Sequence, residues 1–528
     1  MPFQRAPFDP KLNPLRQTLL ELIPILEAKP EWYGSAYFEK KSSQLFNANL
    51  RQTNLKEDRT QGVVLRIYDG YTLHEQATDD LEVDALKRLA REFAARVEKL
   101  FQAAAAQGLP KRPYTPPTWA ERLKENLETE ITSQIPKDVD AKTPVHFGIR
   151  FEKDPLKATP DVVFAKLKGL VSRQMELAKT VGLKESDLHY LMSRQTTAVE
   201  ESIFVDRQSN LSQTLYRVML GLAAMSGADR STRRIGGLGG EEAIEIPDSE
   251  ITEMLADLKG IKEAQRMTPG RYRVIFSPSL SGVLAHEAFG HSQEADTCAR
   301  GRSKAWDLHL DGTSVGNEHA TILNNPAIFD NGPDAYAAWG SYFFDEEGWL
   351  AKEQVLLDRG TLKAPMTNLT SAIRLNIPRT ANGKRESFAH GVYTRQTNTY
   401  FSAGKSTLDQ LIAELGDGFI ATEAAGGMED PKGMGIQVGI QFLKEVRGGK
   451  LTGKYFKGPA GGDIQLTGYT PDVLNSIVGK TKIEFLKSEK DRAKHPVNDV
   501  GGCGKYHKEF VNAGCGGPYL LMKDVILG

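Results

Sequence analysis

Cysteine is scarce in this chain. Cys298, Cys503 and Cys515 are the only three in 528 residues. That is too few for a disulfide framework and fits a reducing compartment, where a thiol is free to serve as ligand or nucleophile. An excess of one charge is also missing. Lys plus Arg number 67 and Asp plus Glu 68, so there is neither the basic footprint of a nucleic-acid binder nor an acidic solvating tail. No apolar run reaches the roughly 18 residues of a membrane span. The opening MPFQRAPFDPKLNP lacks the apolar core of a signal peptide. These absences predict a cytoplasmic protein with no membrane and no nucleic-acid partner. A repeat of fixed period is absent too, as is any low-complexity tract.

What is present is ordinary globular material, 40% apolar and 26% charged, in a chain long enough for about three units at roughly 150 residues each. The texture divides it into an N-terminal helix-and-sheet domain (1–112), a middle α+β region (113–266) and a C-terminal β-rich domain (267–528). The fold class expected is α+β, with the C-terminal part mostly antiparallel. In the first unit, LRQTLLELIPILEA has near-helical spacing interrupted by Pro24. Asp69-Gly70 between GVVLRIY and YTLHEQA reads as a hairpin turn. Residues 80–107 form the clearest helix, capped by Asp79 or Asp80, with Leu86, Leu89, Phe93, Val97 and Leu100 as its apolar stripe. After the Pro-rich linker 108–118, residues 160–182 and 248–265 read as helices, with long alternating strands between them. From about 270 glycine becomes frequent and short β-like runs dominate.

The stretch HEAFGH carries the chemistry. It nearly spells H-E-x-x-H, in which two histidines share a helix face to bind a metal, but His286 and His291 are five apart. On an ideal helix they would point about 140° from each other. A π-bulge would absorb the extra residue; alternatively, Gly290 could bend or end the helix. RYRVIF before the motif reads as a strand, with Ser277 or Ser279 as cap and Pro278 in the first turn. Neutral imidazoles bind zinc, a catalytic zinc keeps one position for water, and a neighbouring carboxylate such as Glu287 can take the water's proton. From the residues alone the third ligand is open among Glu294, Asp296, Cys298, Cys503 and Cys515.

Further blocks give a family likeness. GVLAHEAFGHSQEAD, SYFFDEEGW, VLLDRGTLKAPMTN, ANGKRESFAH, RQTNTYFSAGKST and VGGCGK, with QGVVLRIYDG near the start, resemble in order the conserved blocks of the TldD/PmbA (TldD/TldE) proteins. The likeness is dense from about 270 to 528. It implies a two-part fold, α/β then β-rich, and zinc held by His286, His291 and Cys503 with Glu287 as general base. It also implies pairing with a TldE/PmbA-like subunit or with a second copy of the chain, and cleavage of short or unfolded polypeptides, leader peptides included. The substrate would be held as an extended strand on a sheet edge. TldD-type members keep the motif and TldE-type members lack it, so this chain resembles the catalytic type. The alternative is a non-catalytic peptide-binding or assembly subunit; a non-hydrolytic zinc enzyme is a weaker one. The tail CGKYHKEFVNAGCGG departs from the pattern by adding His507 and Cys515 near the proposed ligand.

Other signals are blander. Gly404-Lys405-Ser406-Thr407 lacks the leading glycine of a phosphate loop, since Thr399 stands there, and Ser406 or Thr407 instead starts a helix. No cofactor-binding glycine motif other than the metal site is expected. Arg385, His390 and Asn398 are candidate substrate-binding or ligand-supporting groups, with a buried polar network as the competing reading. Cys298 reads as a small buried or partly exposed thiol rather than a ligand. His74-Glu75 reads as a surface pair.

Overall fold

The computed structural model describes residues 3–124, 126, 128–331, 336–482, 497, 499–505 and 509–528. Alternation of apolar and polar residues over long stretches builds a seven-stranded sheet from Tyr33–Asn49, Thr53–Tyr68, Leu73–Thr78, Val145–Gly148, Tyr190–Asp206, Ser209–Ser226 and Asp229–Leu238. Strand Tyr33–Asn49 pairs antiparallel with both Thr53–Tyr68 and Tyr190–Asp206. Strands on either side of the expected boundary at 112/113 therefore lie in one sheet. The Asp69-Gly70 turn forms as expected: Asp69 Oδ1 accepts from the backbone N–H of Tyr71 (2.7 Å) and Thr72 (2.8 Å), and Gly70 has φ +93°.

One face of this sheet is covered by helices. Ala36, Phe38, Val63, Leu65 and Ile67 pack against helices Asn13–Leu26 and Val83–Ala106, and Val218, Leu220 and Leu222 against Pro160–Thr180 and Asp248–Lys262. Each such buried side chain contributes roughly 1.5–3 kcal/mol. The long helix differs from expectation at both ends. It begins at Val83 after Glu82, with no side-chain cap from Asp79 or Asp80, and its buried stripe is Leu86, Ala90, Phe93, Ala94 and Val97. Leu100 is exposed, and Phe101 instead packs at this turn, edge-on to Trp32. Pro24 does not interrupt the first helix, which runs through it to Leu26, although the proline has no N–H to donate back to the preceding turn.

The C-terminal part holds an eight-stranded and a six-stranded sheet. Both are mostly antiparallel, with parallel pairs at Gln265–Arg266 with Lys450–Lys457, at Gly270–Phe276 with Gly418–Asp430 and at Asn398–Phe401 with Glu509–Gly516. A buried helix, Pro278–Ala285, sits between the sheets. Leu280, Val283 and Leu284 share one core with Val274, Phe276 and Val438 of one sheet and Ile322, Leu357 and Phe401 of the other. Gly282 lets the helix lie against the backbone, since a Cβ there would be 2.4 Å from Gly516 N. The fold is thus α+β with a β-rich C-terminal half. No helix among the described residues is long and apolar enough to cross a membrane.

His74 and Glu75 are not a free surface pair. His74 Nε2 meets Asp69 Oδ2 at 2.9 Å, and Glu75 Oε1 pairs with Arg66 (3.1 Å) and Arg385 (2.8 Å). A two-residue sequence window cannot reveal partners that arrive from strands elsewhere.

Candidate metal centre

The site begins where strand Gly270–Phe276 ends. Ser277 occupies the cap position in extended conformation, although its side chain makes no capping bond, and Pro278 opens the helix. The α-helix runs to Ala285 and then widens into a π turn over His286–Gly290, closed by His291 N–H donating to His286 O. Five residues per hydrogen-bonded step bring positions five apart nearly into line. The two imidazoles accordingly lie together, edge to face, with ring centroids 4.8 Å apart. Of the two geometries open to HEAFGH, the π-bulge is the one adopted.

Gly290 serves this turn by leaving space, since its φ of −66° suits any residue. A Cβ there would stand 2.0 Å from Gln396 Oε1. Gln396 in turn donates from Nε2 to His286 O at 3.2 Å, satisfying a carbonyl that the wide turn leaves accessible.

The third group comes from the far end of the chain. Strand Asp499–Lys505 lies at the edge of the six-stranded sheet, and its Cys503 puts Sγ 3.4 Å from His291 Nε2. His286, His291 and Cys503 form one of two groups among the described residues whose donor atoms all lie within 4.8 Å of one another. Burial disfavours the Cys503 thiolate, yet the two imidazoles outweigh it and hold the thiol well below its ordinary range. The same attraction, against burial, raises both histidines. Sulfur in thiolate form is the form that ligates metal.

Supporting groups fix this geometry. His291 Nδ1 faces Glu294 Oε2 at 3.3 Å, leaving Nε2 toward the sulfur, an arrangement that sets ring orientation and basicity. Burial opposes charge on Glu294, but Lys505 Nζ at 2.8 Å and His291 carry its pKa down to about 2. Lys505, two residues beyond Cys503 on the same strand, also donates to Asp296 Oδ1 at 2.6 Å. The ligand strand is thereby tied to the segment following His291. Buried Arg395 adds a bond from Nη2 to Cys503 O.

Glu287 is buried beside the pair, against a bulge in strand Gly418–Asp430. A Cβ at Gly427 would approach Glu287 Cγ to 2.5 Å, so that glycine makes its room. Glu429, on the same strand past the bulge, has its carboxylate within 4.8 Å of Glu287 and His291. Burial first, then the hydrogen bond that protonated Glu429 donates to Glu287, raise Glu429 to about 8 against the pull of His291. Sequence reasoning missed Glu429. No motif marks it, and the bulge that turns it inward shows only as the uninformative AAGGMED. It also missed Gln396 and Lys505, whose one sequence cue was membership of the T-N-T-Y and V-G-x-C-G-K blocks. A cavity of about 670 Å³ opens over His286, Glu287, His291, Cys503 and Glu429. Two imidazole nitrogens and a thiolate are a donor set that would hold a metal, and Glu287, lining the same cavity, could move a proton there.

The remaining candidates do not join the three-residue cluster. Cys298 is buried, its Sγ directed to Ser292 O at 3.5 Å, and burial pushes its thiol to about 12. Cys515 reaches the cavity but is raised by burial, Asp499 and Glu287. His507 falls outside the described residues. Arg385 is buried and bridges Glu75 and Glu346 (3.1 Å) while donating to His390 O at 2.9 Å. His390 Nδ1 meets Ser387 Oγ at 2.8 Å. Asn398 is wholly buried, donating to Asn325 O and Ser341 Oγ and accepting from Gly340 N. Thr407, not Ser406, caps helix Leu408–Leu415.

Residues 269–528 match the family model of the PmbA/TldA metallopeptidase C-terminal domain. A metalloprotease of Methanothermobacter thermautotrophicus is 27% identical over 379 residues, 70% of this chain and 75% of that protein. A zinc metalloprotease TldD homolog of Saccharolobus solfataricus is 27% identical over 283 residues, 53% of this chain and 57% of that one. A metalloprotease of Methanocaldococcus jannaschii is 30% identical over 278 residues, covering 51% of this chain and 57% of the relative. In fold, the chain resembles solved TldE from Thermococcus kodakarensis, with a TM-score of 0.64 over 97% of this chain and 100% of that one at 12% identity. The ordered blocks, the matched C-terminal domain and the shared fold agree: the chain belongs to the TldD/PmbA family.

Proposed function

We propose that the protein is a cytoplasmic zinc metallopeptidase of TldD type, acting on short or unfolded polypeptides such as leader peptides, in a complex with a TldE/PmbA-like subunit or a second copy of itself. The observation that carries this reading is the convergence of His286, His291 and Cys503 in one buried cluster beside Glu287. The donor set fits the metal: two imidazoles and a thiolate are a zinc set of catalytic type, with three protein ligands and one open position. Bound there, zinc would polarise the scissile carbonyl and make a water acidic near neutral pH.

The chain's own residues supply the rest. Glu287 takes the water's proton and delivers it to the leaving amine. Glu294 holds His291 in the tautomer that keeps Nε2 toward the metal position. Lys505 keeps Glu294 charged. Glu429, sharing a hydrogen bond with Glu287, steers the base toward the cavity. Strand Asp499–Lys505, at the edge of its sheet, is where an extended peptide would add as a further strand with little side-chain selectivity.

The test is a pair of variants. Glu287→Ala retains zinc and loses about 10²–10⁴-fold in kcat, whereas Cys503→Ala loses the zinc. Casein or peptide digestion at wild-type rate by Glu287→Ala contradicts the mechanism. The rival reading, a non-catalytic peptide-binding or assembly subunit, is favoured if the zinc-loaded wild type binds peptide without cutting it.

A further inference from the structure

A second cavity of about 850 Å³ adjoins the metal cavity, and Arg234 lines both. Its floor is the face of the seven-stranded sheet not covered by helices. On three neighbouring strands Arg194 is level with Gly221, and Gly221 with Arg234. The two guanidinium-bearing residues are thus two strand spacings apart, about 10 Å, on one face, and the glycine between them leaves a trough. Like charges so placed repel unless something anionic joins them. The protein neutralises other arginines nearby. Arg217 is held by both oxygens of Glu200 at 3.0 Å, and Arg233 on the opposite face by Asp257 (3.1 Å) and Glu423 (2.8 Å). Arg194 has no carboxylate partner among the described residues, and Arg234 has only Asp499 at 3.7 Å.

We propose that Arg194 and Arg234, across the Gly221 trough, form a subsite for a carboxylate of the peptide substrate. Asp499 beside Arg234 precedes Cys503 by four strand residues, about 13 Å. An extended peptide spans that distance with about four residues, so the recognised carboxylate lies about four residues from the bond cut at the metal. That last step rests on the peptidase reading; the anion subsite itself does not. The carboxylate could be the peptide's C-terminus or an Asp or Glu side chain, and a bidentate guanidinium contact suits both.

The experiment measures anisotropy of fluorescent ten-residue peptides bound to the full-length, metal-loaded Glu287→Gln protein. One set carries a single Glu moved along a neutral, amidated peptide. A second is neutral with a free C-terminus, and a third is neutral and amidated. The expected result is about ten-fold tighter binding of a carboxylate-bearing peptide than of the third set. That advantage should shrink at high salt. It should vanish in Arg194→Gln and in Arg234→Gln, and persist in Arg91→Gln, an exposed arginine on the distant helix. Whether the Glu set or the free-end set gains identifies the source. Equal affinities across all three sets, or an advantage that survives both arginine variants, overturns the subsite. Carboxylate-dependent binding with no hydrolysis of any peptide by wild type leaves the subsite standing and overturns the peptidase reading. Arg194 and Arg234 are exposed, so their variants fold, as unchanged thermal unfolding will verify.

Discussion

Cys503 Sγ stands 3.4 Å from His291 Nε2 across 212 residues of sequence. Folding brings them together because the edge strand bearing the sulfur and the π turn bearing the imidazoles are tied by Lys505 and Glu294. The cluster should therefore respond to each of its members. His286→Ala, His291→Ala and Cys503→Ala each lower bound zinc to a small fraction of one per chain, measured by elemental analysis after dialysis. Cys298→Ala leaves it unchanged, because that thiol is buried and directed to Ser292 O. Loss of metal from Cys298→Ala with retention in Cys503→Ala contradicts the assignment.

Glu294 and Lys505 act through His291 and should affect affinity more than fold. Glu294→Gln weakens zinc binding about 10–100-fold, the range for groups that orient a histidine ligand. Competition with a chromogenic chelator measures this. A Glu294→Gln protein with unaltered affinity would mean that the 3.3 Å contact to Nδ1 is incidental.

The π turn rests on the close approach of Gln396 to Gly290. Gly290→Ala forces the amide away from a Cβ that would otherwise lie 2.0 Å from its oxygen, and peptidase activity falls at least about ten-fold, as for other small displacements of reacting groups. Shortening the opposing side chain in Gly290→Ala/Gln396→Ala recovers part of the loss. No recovery in the double variant means that the glycine is required for another reason.

Stability should also depend on pH through an ion pair outside the metal cluster. Glu200 is pushed up by burial, but Arg217 and then Lys41 outweigh this and hold it at about 2 against an ordinary 4.5. The folded chain therefore binds fewer protons than the unfolded chain between these values. The stabilisation is complete above about pH 4.5 and is lost as pH falls through about 2. Glu200→Gln costs about 3 kcal/mol at pH 7, since it strands a buried guanidinium. The gap between wild type and variant in thermal unfolding narrows as pH is lowered toward 2. A gap independent of pH contradicts this account.

Much of this was legible in the residues. The spacing of His286 and His291 already demanded a wide turn or a bend, since a regular helix would separate them. Helical periodicity located Val83–Ala106, Pro160–Thr180 and Asp248–Lys262. What stayed hidden depends on strand register and on bulges. Glu429 faces the site because a bulge between Ala424 and Gly427 resets the alternation. The Arg194, Gly221 and Arg234 row exists only once three strands are aligned. Leu100 and Phe101 both fit the apolar stripe, and only the packed structure shows that Phe101, against Trp32, is the one that is covered.

The central claim is that one metal ion is gripped by both imidazoles and the distant sulfur. Anomalous diffraction at the zinc edge from crystals of the purified protein tests it most directly. The account predicts one peak about 2.0–2.1 Å from a nitrogen of His286 and of His291 and about 2.3 Å from Cys503 Sγ. A peak bound by other side chains, or a sulfur remote from it, would contradict the account.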